Sequence, residues 1–255
     1  VGDLHDRNAK LARGLEIFGD IFALNILFII GCIPIITIGA SLTALYSMML
    51  KILENEECTI ARGFFEAFKA NFKKATAAWL IVIFALIALW GQWLYINNFQ
   101  DTMASVYMVL GVVECAVVVL VLPFLFPLIA KFENTLWNTF KNAFLLSVSN
   151  LGSWLKISLA WFAPIFLSLY YPVIILSTWY LWLLILFGLI AYGTSHTVRK
   201  VFNRVADTQE KNEEKEKNKA EEMRRKAGIR EKAMMGNTAE NSRTDAAKAE
   251  AGEAE

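Results

Sequence analysis

There is little in this sequence from which to build a metal or redox site. It has three cysteines and two histidines in 255 residues. Cys32 and Cys115 lie in apolar runs and Cys58 in a charged segment. No pair has metal-ligand or redox spacing, and an odd count excludes a complete set of internal disulfides. They read as reduced, structural thiols. His5 and His196 are too few and too far apart for a histidine-rich centre. The HExxH, GxSxG, Walker-loop and CxxC patterns are missing, and no serine, histidine and aspartate fall close together. These absences point to a chain with no enzymatic activity and no metal or cofactor. Lysine and arginine are also scarce wherever the sequence is apolar, and the long tail is mixed in sign. A nucleic-acid partner is therefore excluded from the reading.

What is abundant is apolar sequence in long runs. Hydrophobic residues make up 56% of the chain and mean hydropathy is +0.43. Gly14–Leu53 is almost unbroken except at Pro34 and Gly39. One bilayer-spanning helix needs about 20 apolar residues, so this stretch reads as two helices turning near Pro34. It is too long, and lacks the small-residue cleavage pattern, for a leader. Six spans are expected, at about 15–33, 40–53, 77–97, 105–130, 154–171 and 173–195. The ionic exceptions inside them are Glu16, Asp20, Glu114 and Lys156. Pro123 and Pro127 should kink the fourth span near its end.

The basic residues give an orientation. All 25 Lys and Arg fall before the first span, in 51–76, around 131–156, or from Arg199 onward. The loops around Pro34, 98–104 and 170–172 have none. By the positive-inside rule this puts both termini in the cytoplasm of a multi-pass plasma-membrane protein. Trp90, Trp93, Tyr95, Tyr170 and Tyr171 cluster near the expected outer boundary, where such rings settle. The domain reading is a cytoplasmic segment 1–14, a membrane domain 15–198, and a charged cytoplasmic tail 199–255. In the tail, Glu213–Lys217, Glu221–Arg225 and Glu222–Lys226 are spaced to support a solvated helix. Beyond Gly236 the composition is that of a disordered segment.

The two polar connectors resemble each other. FFEAFKANFKKA (64–75) and LWNTFKNAFLLS (136–147) align at a constant offset. Phe64, Phe68 and Phe72, like Leu136, Phe140 and Phe144, recur every fourth residue and share one helix face. Both connectors are expected as amphipathic helices at the inner surface, rings toward lipid or a partner. The segments 61–131 and 132–198 then form a tandem repeat in a shared orientation, unlike the inverted repeats of many transporters. The fold class is all-α: a polytopic helical bundle of about six spans with two connector helices.

Intramembrane polar residues are the remaining candidates. Glu114 lies well inside the fourth span, where a carboxylate is costly and suggests function by default. Gln92 in the neighbouring span is its best partner at matching depth. A structural interhelical bond and a role in a proton or substrate path both stay open. Asp20, near Arg13, and Asn25, deeper in the first span, read as interhelical glue. Thr37 or Ser41 is expected to N-cap the second helix.

The opening hairpin resembles the YesL-like family of bacterial integral membrane proteins (domain of unknown function 624). The resemblance rests on Gly19-Asp20, Leu24-Asn25, Pro34, Thr37, Gly39-Ala40 and Ala44-Leu45-Tyr46, followed by the FKANF segment. It extends over roughly 15–200. It implies a Gram-positive plasma-membrane protein encoded near carbohydrate importers, and it supplies no catalytic residues. The expected function is a non-enzymatic accessory or regulator of carbohydrate uptake, with the bilayer and importer permease subunits as partners. An independent small transporter or channel is the alternative, and a homo-oligomer stays open.

Overall fold

The computed structural model describes residues 2–56, 58–99, 101–208, 210–211, 214–219 and 223. Among them there is no strand. Two compact units are distinguished, Val1–Val201 and Phe202–Glu255. In the second, every described residue is helical. The tail pairs involving Glu213, Glu221 and Glu222, and the segment beyond Gly236, lie outside the described residues.

The first unit contains α1 (Gly2–Cys32), α2 (Ile38–Glu54), α3 (Ile60–Asn98), α4 (Thr102–Lys131), α5 (Leu136–Ser149), α6 (Leu151–Tyr170) and α7 (Pro172–Leu181). A π-helical turn at Trp182–Leu186 follows α7, and the chain is helical again as α8 from 187 to the end of the unit at 201. Among the described residues five helices are long and apolar enough to cross a bilayer, six if the bent pair α5–α6 counts as one span.

The α1–α2 hairpin closes by hydroxyl groups that turn backward. Thr37 Oγ1 donates to Gly31 O at 2.8 Å and Pro34 O at 2.7 Å. Ser41 Oγ donates to Phe28 O at 2.8 Å. The first of these satisfies a carbonyl, Gly31 O, that the end of α1 leaves without a helical donor. The expected N-cap is therefore corrected: Thr37 occupies that position but makes no side-chain cap bond to α2. Gly39 is required for space. A Cβ there would stand 2.6 Å from Ala75 O and from Trp79 Cβ, so α2 and α3 meet backbone to backbone.

Helix α3 is 39 residues long, about 58 Å at a rise of roughly 1.5 Å per residue, against a hydrocarbon core of about 30 Å. Its first half is the expected connector, and it folds back along α2. Gly63 meets Met48 near the link and Gly39 meets Ala75 at the far end. Helix α5 folds back along α4 in the same way, with Ser147 Oγ donating to Leu120 O. The aligned connectors thus hold equivalent places, each the antiparallel partner of the helix before it. They do not pack through their rings. The inward faces are Ala67, Asn71 and Ala75 in α3 and Thr139, Ala143 and Ser147 in α5, matching at the same offset. All are buried except half-buried Asn71. Small residues let the backbones approach, as is usual between membrane helices.

The expectation of connector rings facing lipid is corrected at Phe64. It is fully buried in the main core with Leu24, Phe28, Leu45, Met48 and Met49. Phe68 packs against that core, while Phe72 and Phe144 are more than a third exposed and Phe140 is half-buried. The ring stack begins inside the bundle because the α1–α2 hairpin covers its first turn.

The repeats diverge where α5 passes to α6. The axis turns by 105° at Asn150, where the first copy runs straight through Ala77-Ala78. Asn-Leu-Gly-Ser is a poor helix interior, whereas Ala-Ala is a good one. Pro123 receives this elbow. Lacking an N–H, it frees Val119 O, and Trp154 Nε1 donates to that carbonyl at 3.2 Å. A proline and a tryptophan thus dock α6 on α4.

Candidate functional site

Polar residues inside the bundle form three nodes, two of which join helices distant in sequence. The first is built on Asn25, which is fully buried. Its Nδ2 donates to Leu183 O at 2.8 Å and, more weakly, to Trp182 O at 3.4 Å. Its Oδ1 accepts from Gly188 N at 2.8 Å. A π-helical turn leaves backbone groups without their usual partners, and the Asn25 amide bridges the gap from Leu183 to Gly188. Gly188 permits the contact, since a Cβ there would stand 2.8 Å from Ile21 O.

The second node is one the sequence reading missed. Tyr46 is buried, and Trp161 Nε1 donates to its hydroxyl at 2.7 Å. The same hydroxyl lies 3.1 Å from Thr194 Oγ1. Thr194 spends its own proton on Ile190 O at 2.7 Å, so Tyr46 donates to it. This ties α2, α6 and α8 together. The signal available in the sequence was Tyr46 itself, at the end of the hairpin motif.

The third node is Gln92 and Glu114. Gln92 Nε2 donates to Glu114 Oε2 at 2.8 Å, as depth matching suggested. Both are half-buried. Gln92 Oε1 is buried with no partner and lies 2.7 Å from where a Cβ on Gly111 would stand. A cleft of about 520 Å³ runs beside the pair, lined by Gln92, Trp93, Tyr107, Met108 and Gly111 among others.

Asp20 is half-buried in a cleft of about 550 Å³ with Arg13, Glu16 and Asn55. Arg13, which lines the same cleft as Asp20, donates to Asn55 Oδ1. Asn55 is the left-handed residue that ends α2, with φ 58°. Two further cations reach the same helix end. Lys131 pairs with Glu54 at 2.7 Å, and Arg199 donates to Leu53 O. Cations at a helix C-terminus complement its dipole and its free carbonyls. Here they come from α1, α4 and α8. Lys74 Nζ reaches Phe132 O at 3.5 Å.

Among the described residues no group of three His, Cys, Asp or Glu could hold a metal ion. In each node a side chain on one helix is hydrogen-bonded to a group on another. What they provide chemically is cross-linking of an apolar bundle. The hairpin motif takes on physical meaning through them. Leu24, Ala44 and Leu45 are core, and Asn25 and Tyr46 are node residues. Thr37 closes the turn, and Gly39 admits α3.

No curated protein and no solved structure matches the chain. Residues 21–92, from α1 through the hairpin to Gln92 on α3, match the family described as "Protein of unknown function, DUF624", in agreement with the resemblance carried by the hairpin residues.

Proposed function

We propose that this chain is a non-enzymatic membrane protein that assists or regulates carbohydrate uptake by helix contact with importer permease subunits. The observation that carries this reading is the arm formed by the second half of α3 and the first half of α4. Beyond Val82 on α3 and before Val121 on α4, only Ala104 is buried among the described residues. Phe84, Ile87, Trp90, Val109, Val112 and Val113 are each at least half exposed. The polar pair of the arm, Gln92 and Glu114, is turned inward on itself. An apolar two-helix arm whose Gln92 and Glu114 bond to each other suits a partner's spans. The carbohydrate link comes from the family resemblance.

The test is purification from native membranes in mild detergent, with cells grown with and without complex carbohydrate. Importer permease subunits should co-purify in near-stoichiometric amount. Tryptophan substitutions at Ile87, Val109 and Val113 should abolish the association while the protein stays monodisperse. The alternative is an independent transporter using the cleft beside Gln92. It requires solute movement by the pure chain in liposomes and recovery of the chain alone from membranes.

A further inference from the structure

The apolar run of α4 ends at Lys131, and α5 begins at Leu136. The link between them, residues 132–135, closes a cleft of about 640 Å³ against Ala70, Asn71 and Lys74 on α3. This is within the range of ligand pockets, about 300–1,000 Å³. Ile129 and Ala130 add apolar wall. Trp137, two residues past the cleft, is largely exposed. An exposed tryptophan beside the basic end of an apolar helix marks the level of lipid headgroups.

Three charged side chains line this space, Lys74, Lys131 and Glu133. Lys131 is committed: its Nζ donates to both carboxylate oxygens of Glu54, at 2.7 and 2.9 Å. Lys74 is not. It is half-buried, and only one of its three N–H donors is engaged, on Phe132 O at 3.5 Å. Among the described residues it makes no ion pair; Glu133 acts on it by charge from farther off and is itself exposed. A half-buried ammonium without a close counter-ion is costly. Two neutral donors share the cleft. Thr135 Oγ1 accepts from Asn138 N at 3.4 Å, which leaves its own proton to give. Asn134 is exposed, and its side-chain amide bonds to no described residue.

We propose that this cleft binds the phosphodiester of a membrane phospholipid, with Lys74 as its counter-charge and Thr135 and Asn134 as hydrogen-bond donors. An ammonium beside neutral donors suits phosphate oxygens. The charges of the wall set the valence. The Lys131–Glu54 pair is neutral as a unit, so Lys74 offsets one negative charge and Glu133 repels a second. A diester carries one, whereas a phosphate monoester carries about 1.5 to 2 at pH 7.

The test uses the full chain in detergent and native mass spectrometry with two added lipids of equal chains, phosphatidylglycerol and diacylglycerol. Phosphatidylglycerol should bind saturably, and diacylglycerol, which lacks the phosphate, should not. Lys74→Gln should weaken that binding about tenfold or more, as for one charge-assisted hydrogen bond, while the protein remains monodisperse. Lys74→Arg should keep most of it. Lys69→Gln, at an exposed lysine of the same helix outside the cleft, should change nothing. Millimolar glycerol 3-phosphate, a soluble monoester, should not displace the lipid. Undiminished binding to Lys74→Gln overturns the proposal. Equal losses from Lys74→Gln and Lys69→Gln do so too, since they mean attraction to basic surface in general. Displacement by glycerol 3-phosphate makes the occupant a soluble phosphate, and equal binding of diacylglycerol removes the phosphate from the account; either overturns it.

Discussion

The Gly188 N–H donates to Asn25 Oδ1 at 2.8 Å, and Asn25 Nδ2 returns a bond to Leu183 O at the same distance. One side-chain amide thereby completes the backbone of another helix. Asn25→Ala should strand both backbone groups and cost about 1–3 kcal/mol. Gly188→Ala should cost at least as much, through the clash with Ile21 O. Thermal unfolding in detergent of both variants checks this. An unchanged Tm for Asn25→Ala would remove the node from the account of the fold.

Glu114→Gln should be tolerated, because a carboxamide oxygen can accept the same bond from Gln92 Nε2. Gln92→Leu loses the pair and should cost about 1 kcal/mol. If the chain moves solute in liposomes and Glu114→Gln abolishes the flux with Tm intact, the pair belongs to a pathway.

The loop between α3 and α4 carries a pH dependence. Asp101 accepts from Ala104 N at 2.8 Å and from Tyr95 OH at 2.9 Å. These bonds favour its charged form and lower its pKa from the ordinary 3.8. A depressed carboxyl pKa stabilises above the ordinary value, and that contribution is lost as pH falls through the folded one. Amide exchange at the start of α4 should therefore accelerate only below about pH 4. Asp101→Asn should largely remove the pH dependence, and a transition near neutrality would contradict the assignment.

Single cysteines at Asn98 and Asn218, in a background lacking the native three, should label from opposite faces of intact cells. This follows from the distribution of Lys and Arg. Labelling of both from one face rules out an odd number of spans between Asn98 and the tail, and with it the six-span arrangement.

Much of the fold could be read from composition. The apolar runs lie in α1, α2, α3, α4, α6 and the α7–α8 stretch, and the turn falls between Cys32 and Ile38. Gln92 and Glu114 were legible because both are polar at one depth of adjacent helices. The packing faces were not. Phenylalanine dominates any amphipathic pattern, so Phe64, Phe68 and Phe72 masked the neighbouring stripe Ala67, Asn71 and Ala75. The π-helical turn was invisible because an all-apolar segment has no polar phase to shift. The direction of Thr37 and Ser41 was undetermined, since a hydroxyl can bond back into α1 as readily as forward into α2. Tyr46, Trp161 and Thr194 meet only through tertiary structure, at separations of 115 and 148 residues.

The clasp at the end of α2 also constrains the order of assembly. Lys131 and Arg199 lie far downstream of Leu53 and Glu54, which they hold; likewise, Gly188 is 163 residues beyond Asn25. The α1–α2 hairpin is synthesised well before α8, which completes its contacts. Until then Asn25 must find temporary partners or be shielded. Nascent chains ending before Arg199 would expose that unfinished state to the cell's quality control.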